Sequence, residues 1–397
     1  MFSAYSAAAS SVAILLTIAA PAGAAGSTTR VSVATGGTQA NGVSFGSALS
    51  ADGRYVAFSS DATNLVPGDT NNAGDVFVRD RRTGTTERVS LSSAGAQGGE
   101  ESFGTSITPD GRYVSFASRA PNLVPGDTNG QTDAFLRDRR TGTTTRISVS
   151  ARGAQGNGES TFPKLSADGR HVAFQSWATN LMPGSPAAGV FVRGLDSGTL
   201  ERISTTGTGA TISGNGRYVA FDTSGDVFVR DRHTRTTTRI SVATNGGQAD
   251  NDSGTAAMTP DGRHVAFDSL ASNLVPDDVS GPRAVFVRDR GTGTTTRIAT
   301  GTNPALSADG RYVAFQARPM DVVPGDPGEQ TQVFVRDRNT GTTTRISTAT
   351  DGGPANGLSY QAALSADGGQ VAFHSAATNL IPTDTNTVGD IFIRPTR

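Results

Sequence analysis

The sequence has 397 residues, a formal net charge of −1 and no cysteine. The absence of thiols excludes disulfide bonds, thiolate metal sites and a cysteine nucleophile. The charge is nearly balanced and the basic residues are spread along the chain, which argues against a protein that binds nucleic acid.

The N-terminus is typical of an export signal. Val12–Ala20 forms a short apolar stretch, and Ala22–Ala24 offers the small residues that a signal peptidase accepts. We therefore expect residues 1–25 to be a signal peptide and the protein to be secreted or held in the cell envelope. A membrane anchor is the alternative, but the stretch is short for a bilayer span. No later segment is apolar enough to cross a membrane.

A turn dipeptide divides the rest of the chain into seven units. Asp-Gly, or Asn-Gly in the fourth unit, recurs every 46 to 58 residues, starting at positions 52, 110, 168, 215, 261, 309 and 367. This spacing is in or near the range of repeats that each build one four-stranded propeller blade. A longer repetition is the loop LVPGDTN, which occurs at Leu65–Asn71 and again at Leu123–Asn129.

Each unit contains four short segments with strand character, which we label A to D. In the first unit, Phe45–Ser50 leads into the Asp-Gly turn and the alternating run Arg54–Ser60 follows. Val76–Arg79 comes after the long loop, and a second glycine turn leads into Thr86–Ser90. A helical interpretation fails because the apolar runs are short and glycine or proline interrupts them too often.

The two ends of the chain supply one shared unit. The seventh unit ends after strand C, at Ile391–Arg394, whereas Thr28–Ser32 near the N-terminus matches the pattern of strand D. We expect this first strand to complete the last blade, because an open sheet edge invites aggregation. The predicted fold is all-β: one domain over residues 26–397, a seven-bladed β-propeller of four-stranded antiparallel blades.

The phrase LSADGRYVAF at Leu49–Phe58, with its variants in other units, resembles the propeller repeats of TolB-like and WD-repeat-like bacterial proteins. In those repeats a Ser-Pro-Asp-Gly turn precedes a short strand that ends in Phe, and Thr108–Gly111 and Thr259–Gly262 match it best. The resemblance covers essentially the whole chain after residue 25. It implies the propeller fold, with roles that range from periplasmic scaffolds to gates attached to serine peptidases.

Long, variable connections are expected on one face of the disc, which we call the variable face. In a four-stranded blade the B–C and D–A connections share this face, and the short turns share the other, here called the Asp-Gly face. The D–A connections carry recurring amides, which serve either as turn chemistry or as part of a binding surface. These candidates are Gln39, Asn41, Gln97, Gln155, Asn157, Gln248 and Asn356.

Two residues of the third unit break the symmetry of the repeats. Trp177 begins the B–C loop, where an exposed indole would stack on a sugar or anchor a protein partner. Lys164, the sole lysine, lies on strand A where the other units have small residues, and would attract an anionic group at the channel mouth. The alternatives are that Trp177 packs on its own loop and that Lys164 points into solvent.

The loop LVPGDTN is compared with a calcium site and with a turn capped by side chains. Oxygen-bearing side chains recur at the same spacing in three units, and hard oxygen donors on a tight loop suit calcium. The candidate ligands are Asp69, Asn71 and Asp75, then Asp127, Asn129 and Asp133, and finally Asp384, Asn386 and Asp390. The loop lacks a bidentate acid at its end, so turns capped by Asp and Asn side chains are the alternative.

Arginine recurs in every unit at the end of strand C and on strand D, as Arg79 and Arg88 do in the first unit. Asp80 and its counterparts follow several members of the first set. Because the feature is shared by all units, we interpret it as cross-strand ion pairs and coverage of the outer sheet.

No catalytic constellation is visible in the sequence. His171, His233, His264 and His374 are separated by the repeats, and Gly42–Gly46 fits G-x-S-x-G without the strand-to-helix context of that motif. We therefore expect no enzymatic activity. The predicted function is that of an exported, monomeric scaffold that binds a protein partner in the cell envelope or outside the cell. A carbohydrate-binding propeller is the first alternative, and a polysaccharide-acting enzyme is the second.

Overall fold

The chain folds into seven four-stranded antiparallel sheets, in a computed structural model that describes residues 26–183, 188–276 and 281–397. The sheets are the blades of a β-propeller, so the predicted fold class is confirmed. The predicted signal peptide, residues 1–25, lies outside the described residues.

Strands follow one another along each blade in the order A, B, C, D. The first strand of the chain is β1 (Thr29–Arg30). Blades one to three comprise β2 (Ser44–Leu49), β3 (Tyr55–Ser60), β4 (Asp75–Asp80) and β5 (Thr85–Arg88); β6 (Ser102–Ile107), β7 (Tyr113–Ser118), β8 (Asp133–Asp138) and β9 (Thr143–Arg146); and β10 (Ser160–Leu165), β11 (His171–Ser176), β12 (Gly189–Gly194) and β13 (Leu200–Ser204).

The later blades repeat this order. Blades four to six comprise β14 (Thr208–Ile212), β15 (Tyr218–Thr223), β16 (Asp226–Asp231) and β17 (Thr236–Arg239); β18 (Ser253–Met258), β19 (His264–Ser269), β20 (Ala284–Asp289) and β21 (Thr294–Thr300); and β22 (Thr302–Leu306), β23 (Tyr312–Ala317), β24 (Gln332–Asp337) and β25 (Thr342–Arg345). Blade seven contains β26 (Ser359–Leu364), β27 (Gln370–Ser375) and β28 (Asp390–Pro395), and its fourth strand is β1.

The N-terminal strand closes the ring as predicted. Strand β1 runs antiparallel to β28, with Arg30 opposite Phe392. The pairing continues past the regular strand, because the amide of Val31 donates to the carbonyl of Ile391 at 2.7 Å. The outer edge of β28 is therefore hydrogen-bonded by the other end of the chain.

Strands B and C form the core because both of their faces are covered by neighbouring blades. Phe58 and Phe77 stack within the first blade with ring centres 5.8 Å apart, and both are fully buried. Clusters between blades combine residues of two units, as Val78 of blade one packs with Phe116 of blade two. Because both faces of these strands are buried, their sequences are continuous apolar runs such as Val-Phe-Val.

Neighbouring blades are also joined at the Asp-Gly face. The ring of Tyr55 covers Gly111 of the next blade so closely that a Cβ there would lie 2.2 Å from the ring. Gly111 also has φ +74°, so the turn needs glycine for both space and conformation. Arg139 places its guanidinium 4.6 Å from the centre of the Tyr55 ring. The position of Tyr55 is taken in the other blades by Tyr113, His171, Tyr218, His264, Tyr312 and Gln370, each against the next turn glycine.

The arginines at the end of strand C have partners that differ from the predicted cross-strand ion pairs. Arg79 donates to the backbone oxygen of Ala34 at 3.1 Å and to the hydroxyl of Thr86 at 3.0 Å. Asp80 pairs instead with Arg54, which follows the Asp-Gly turn, through two bonds of 2.9 and 2.5 Å. This bidentate pair lowers the pKa of Asp80. The arginine at the end of strand C therefore holds the preceding D–A connection, while Arg54 supplies the ion pair.

The A strands surround a central channel, since each of them contacts the A strands of both neighbouring blades. Near the Asp-Gly face, a cavity of about 210 Å³ is lined by apolar side chains from all seven blades: Leu49, Ile107, Leu165, Ile212, Met258, Leu306 and Leu364. The described part of the chain holds one helix, α1 (Pro319–Val322), and no helix there is long and apolar enough to span a membrane.

Candidate functional site

The exposed large hydrophobic side chains of the described residues all lie at the variable face. Two precede A strands, two follow B strands, two belong to the B–C loop of the sixth blade that contains α1, and one is in strand β10. They are Val43, Leu358, Trp177, Leu270, Met320, Val323 and Phe162. The Asp-Gly face shows none among the described residues, so the two faces of the disc differ chemically.

Trp177 lies where the sequence places it, at the start of the B–C loop of the third blade. Its side chain is 44% exposed, while its backbone amide donates to the carbonyl of Glu159 at 2.8 Å. The same backbone bond joins Asp61 to Val43 in the first blade at 2.9 Å. The backbone around Trp177 is therefore regular, and the indole is presented to solvent by a fixed frame.

The asparagines of the D–A connections bind the neighbouring B–C loop. Asn41 donates to the Thr63 hydroxyl at 3.0 Å and accepts from the Thr63 amide at 2.9 Å. Asn157 and Asn356 make the same pair of bonds to Thr179 and Thr378. This arrangement supports the turn-chemistry interpretation for these three amides.

The glutamines of these connections also join loops within the protein. Gln97 donates to Asp69 at 2.8 Å and to Asp75 at 3.1 Å. Gln155 repeats these contacts with Asp127 and Asp133, and Gln39 donates to the Thr385 hydroxyl at 2.7 Å. Gln248 contributes its backbone oxygen to the Asn273 amide group at 2.7 Å. A role of these amides in ligand binding stays a prediction.

The acidic loop of the first blade encloses an arginine. Arg88 reaches from strand D with its Nη1 2.8 Å from Asp75 and 3.4 Å from Asp69. Ser90 donates to Asp75 at 2.5 Å and the Asn71 amide group lies 3.4 Å from it. Burial raises the pKa of Asp75, while the Ser90 bond and the charge of Arg88 act in the opposite direction.

The same cluster is built at two other B–C loops. In the second blade Arg146 lies between Asp127 and Asp133, with Asn129 donating to the latter. In the seventh blade the arginine is Arg30 of β1, which lies 3.0 Å from Asp384 and 3.3 Å from Asp390. Asn386 donates to Asp390 at 2.9 Å. The third cluster therefore forms part of the ring closure, and Asp390 also accepts from Ser32 at 2.5 Å.

These clusters do not fit a calcium ion as they are arranged. Asn71 and Gln97 present N–H donors to the carboxylates, and the guanidinium of Arg88 supplies the positive charge. Calcium requires oxygen donors on all sides. Within the described residues, no group of three or more acidic, histidine or cysteine side chains is placed to hold a metal.

The calcium hypothesis is tested by thermal melting. We expect added calcium and added chelator to leave the melting temperature unchanged, because Arg88 already neutralises Asp69 and Asp75. Magnesium serves as the control for a general effect of divalent salt. A rise of several degrees with calcium alone would show that the loops rearrange to bind the metal.

Each A strand is interrupted by a bulge near the variable face. The register with strand B shifts there in all seven blades, for example between Phe45 and Ala48 in β2. One residue per bulge has a positive φ, and together they surround the channel mouth: Gly46, Gly104, Phe162, Gly209, Thr255, Asn303 and Gln361. Sequence reasoning missed this ring, although glycine three residues before the end of strand A in three units was its signal.

Lys164 lies on β10 two residues beyond Phe162. Its side chain is exposed, yet the surrounding protein removes enough water to lower the pKa of its ammonium group. No carboxylate of the described residues is within ion-pair distance of it, and the cause of the pKa shift is desolvation alone. The prediction that Lys164 attracts an anionic group is compatible with this position.

His374, one of the four histidines considered in the sequence, is buried. Its side chain is 3% exposed, and neither ring nitrogen has a hydrogen-bond partner. The ring contacts Tyr360 with centres 4.3 Å apart, and burial lowers the pKa of His374 to about 4. It occupies the B-strand position held by Gln175 and Gln316 in two other blades.

Comparison with known proteins supports the fold. No protein-family model and no curated protein matches the sequence. Two similar solved structures are an oligogalacturonate lyase in complex with manganese and the oligogalacturonate lyase of Vibrio parahaemolyticus, both with a TM-score of 0.60. The first shares 11% identity over 93% of this chain and 92% of that chain, and the second 13% over 93% of each.

TolB proteins are also among the similar structures. TolB from Acinetobacter baumannii shares 16% identity over 87% of this chain and 81% of that chain, with a TM-score of 0.43. The predicted resemblance to TolB-like propellers is confirmed to that extent. At these identities the similarity concerns the fold alone.

The expectation of no enzymatic activity, which was drawn from the lack of a catalytic motif in the sequence, is wrong. The propellers similar to this chain at a TM-score of 0.60 are lyases, so this architecture carries catalysis. The physical reason is that a propeller brings side chains of separate blades together around its axis. Residues far apart in sequence can then form one site, and the lack of a local motif excludes nothing.

Proposed function

We propose that the protein is an exported propeller that binds a protein partner through its variable face. The placement of the exposed large hydrophobic side chains carries this proposal, since all of those described lie on that face. Apolar groups gathered on one side of a soluble domain are typical of an interaction surface.

The distribution of these side chains favours an extended partner. Val43 and Leu358 belong to the adjacent blades one and seven, whereas Trp177 and Leu270 lie in blades three and five. Exposed acids such as Glu159 stand at the starts of the A strands between them. Separate apolar anchors with charged groups around them match the anatomy of a protein interface more than that of a single small pocket.

Paired variants on the two faces test the proposal. The double variant Trp177→Ala/Leu270→Ser is expected to weaken binding of a partner captured by the purified protein at least about tenfold, because aromatic anchors dominate such interfaces. The melting temperature should change little, since both side chains are exposed. Arg140→Ala at the Asp-Gly face is the control and should bind normally. If the wild type, the double variant and Arg140→Ala bound the partner equally well, a role of the variable face would be refuted.

A glycan is the second candidate ligand. Phe162 and Trp177, two exposed aromatic side chains, lie in the same blade, and aromatic rings stack on sugars. The fold shared with oligogalacturonate lyases makes acidic polysaccharides the first glycans to test, for both binding and cleavage. A signal on a glycan array that is lost in Trp177→Ala would favour this function over protein binding.

A further inference from the structure

We propose that the channel mouth at the third blade binds a small organic carboxylate. Lys164 pairs with the carboxylate, and Phe162 packs against the ring or apolar part of the ligand. This inference concerns the innermost strands, whereas the anchors tested for protein binding, Trp177 and Leu270, lie in B–C loops.

Phe162 occupies the bulge position at which every blade has a positive φ, and three blades fill that position with glycine. Its φ is +50°, and a non-glycine residue there costs about 1–2 kcal/mol. Gly46, Gly104 and Gly209 occupy the same position in other blades. Thr255, Asn303 and Gln361 share this strain in other blades, and Phe162 is the aromatic residue of the set.

Two other side chains of the ring, those of Gln361 and Thr255, have local partners, whereas no contact is seen for Phe162 among the described residues. Gln361 accepts a hydrogen bond from the Gly46 amide of the next blade at 3.1 Å, and Thr255 bonds to Asp268. Phe162 is 52% exposed and belongs to none of the hydrophobic clusters between the described blades. Its ring is therefore accessible to a ligand that reaches the channel mouth.

Lys164 supplies the charge at this site. Its side chain is exposed, and no carboxylate of the described residues lies within ion-pair distance of it. Beyond it, the apolar ring that includes Leu165 and Ile212 lines the channel. Glu159 at the rim has the opposite charge, but it is exposed and its field is screened by salt.

The sole lysine allows a direct test by NMR. Protein labelled with ¹³C at the lysine Cε should give one side-chain signal, that of Lys164. We expect glucuronate or benzoate to shift this signal, and the two acids distinguish a sugar ring from an aromatic ring. Glucose, the neutral control, should leave it unchanged. A shift by glucose, no shift by either acid, or an equally large shift by inorganic sulfate would overturn the proposal.

Two variants separate binding from folding, with affinity measured by calorimetry using the acid that shifts the signal. Lys164→Ala installs the residue of four other blades and is expected to weaken binding about tenfold or more. Phe162→Gly should weaken binding about fivefold without lowering the melting temperature, because glycine adopts a positive φ freely. Thr255→Gly relieves the same strain in the fifth blade and should bind normally. The assignment would be contradicted if Lys164→Ala bound the acid with unchanged affinity. It would also be contradicted if Phe162→Gly bound the acid as tightly as Thr255→Gly does.

Discussion

Replacing Arg30 by methionine is expected to lower the free energy of unfolding by about 3–5 kcal/mol, the usual cost of breaking a buried ion pair. Arg30 lies 3.0 Å from Asp384 and 3.3 Å from Asp390, and the three side chains are at most 5% exposed. Methionine keeps the length of the side chain but leaves two carboxylates buried without their cation. Denaturation with guanidinium chloride at neutral pH measures the change.

Matched variants identify the source of this loss. Arg88→Met breaks the same cluster in the first blade, away from the ring closure. We expect only Arg30→Met to aggregate as protein concentration rises, because loosening β1 exposes the edge of β28. Adding Asp390→Asn to Arg30→Met should restore part of the stability by removing one unpaired charge. Wild-type stability of Arg30→Met would refute the role of this cluster in closure.

Acid is expected to destabilise the wild-type protein more than the variant His374→Gln. Burial lowers the pKa of His374 to about 4 from an ordinary value of 6.5. The unfolded chain therefore takes up a proton at a higher pH than the folded protein. The stability that neutral His374 contributes is complete above pH 6.5 and is lost as the pH falls from 6.5 toward 4. Protonation of His374 is thus expected to remove about 3 kcal/mol from the free energy of unfolding over this pH range.

The measurement is the free energy of unfolding of both proteins at several pH values between 7 and 4. Glutamine is a suitable replacement because Gln175 and Gln316 occupy the same position in other blades. His233→Gln changes an exposed histidine and serves as the control. The difference between wild type and His374→Gln should grow as the pH falls, and parallel profiles would show that His374 is not the group responsible.

The fold was predictable because its signals are local and repeated. Asp-Gly needs only its own backbone to specify a tight turn, and the alternating run after Arg54 specifies a strand. Repetition of these signals set the number of blades. The strand-D pattern at Thr28–Ser32, together with its absence after Ile391, was enough to predict the closure that Arg30 and Phe392 confirm.

Contacts between blades could not be read from the same signals. Tyr55 covers Gly111 of the next blade, and no pattern in the sequence links these two residues. The sequence offers Asp69 and Asp75 as calcium ligands and does not show that Arg88 lies between them. The strain at Phe162 was invisible for the same reason, since a positive φ depends on the bulge and on packing around the channel.

Local pattern thus determined the strands, their grouping into seven blades and the face that carries the long loops. Tertiary structure decided which charges neutralise one another, which side chains remain free at the channel mouth and which histidine is buried without a partner. The physical reason is that backbone conformation follows from neighbours in the chain, whereas the environment of a side chain follows from blades brought together in space. Arg30 and Asp390 illustrate this, for they lie at opposite ends of the chain and form one cluster.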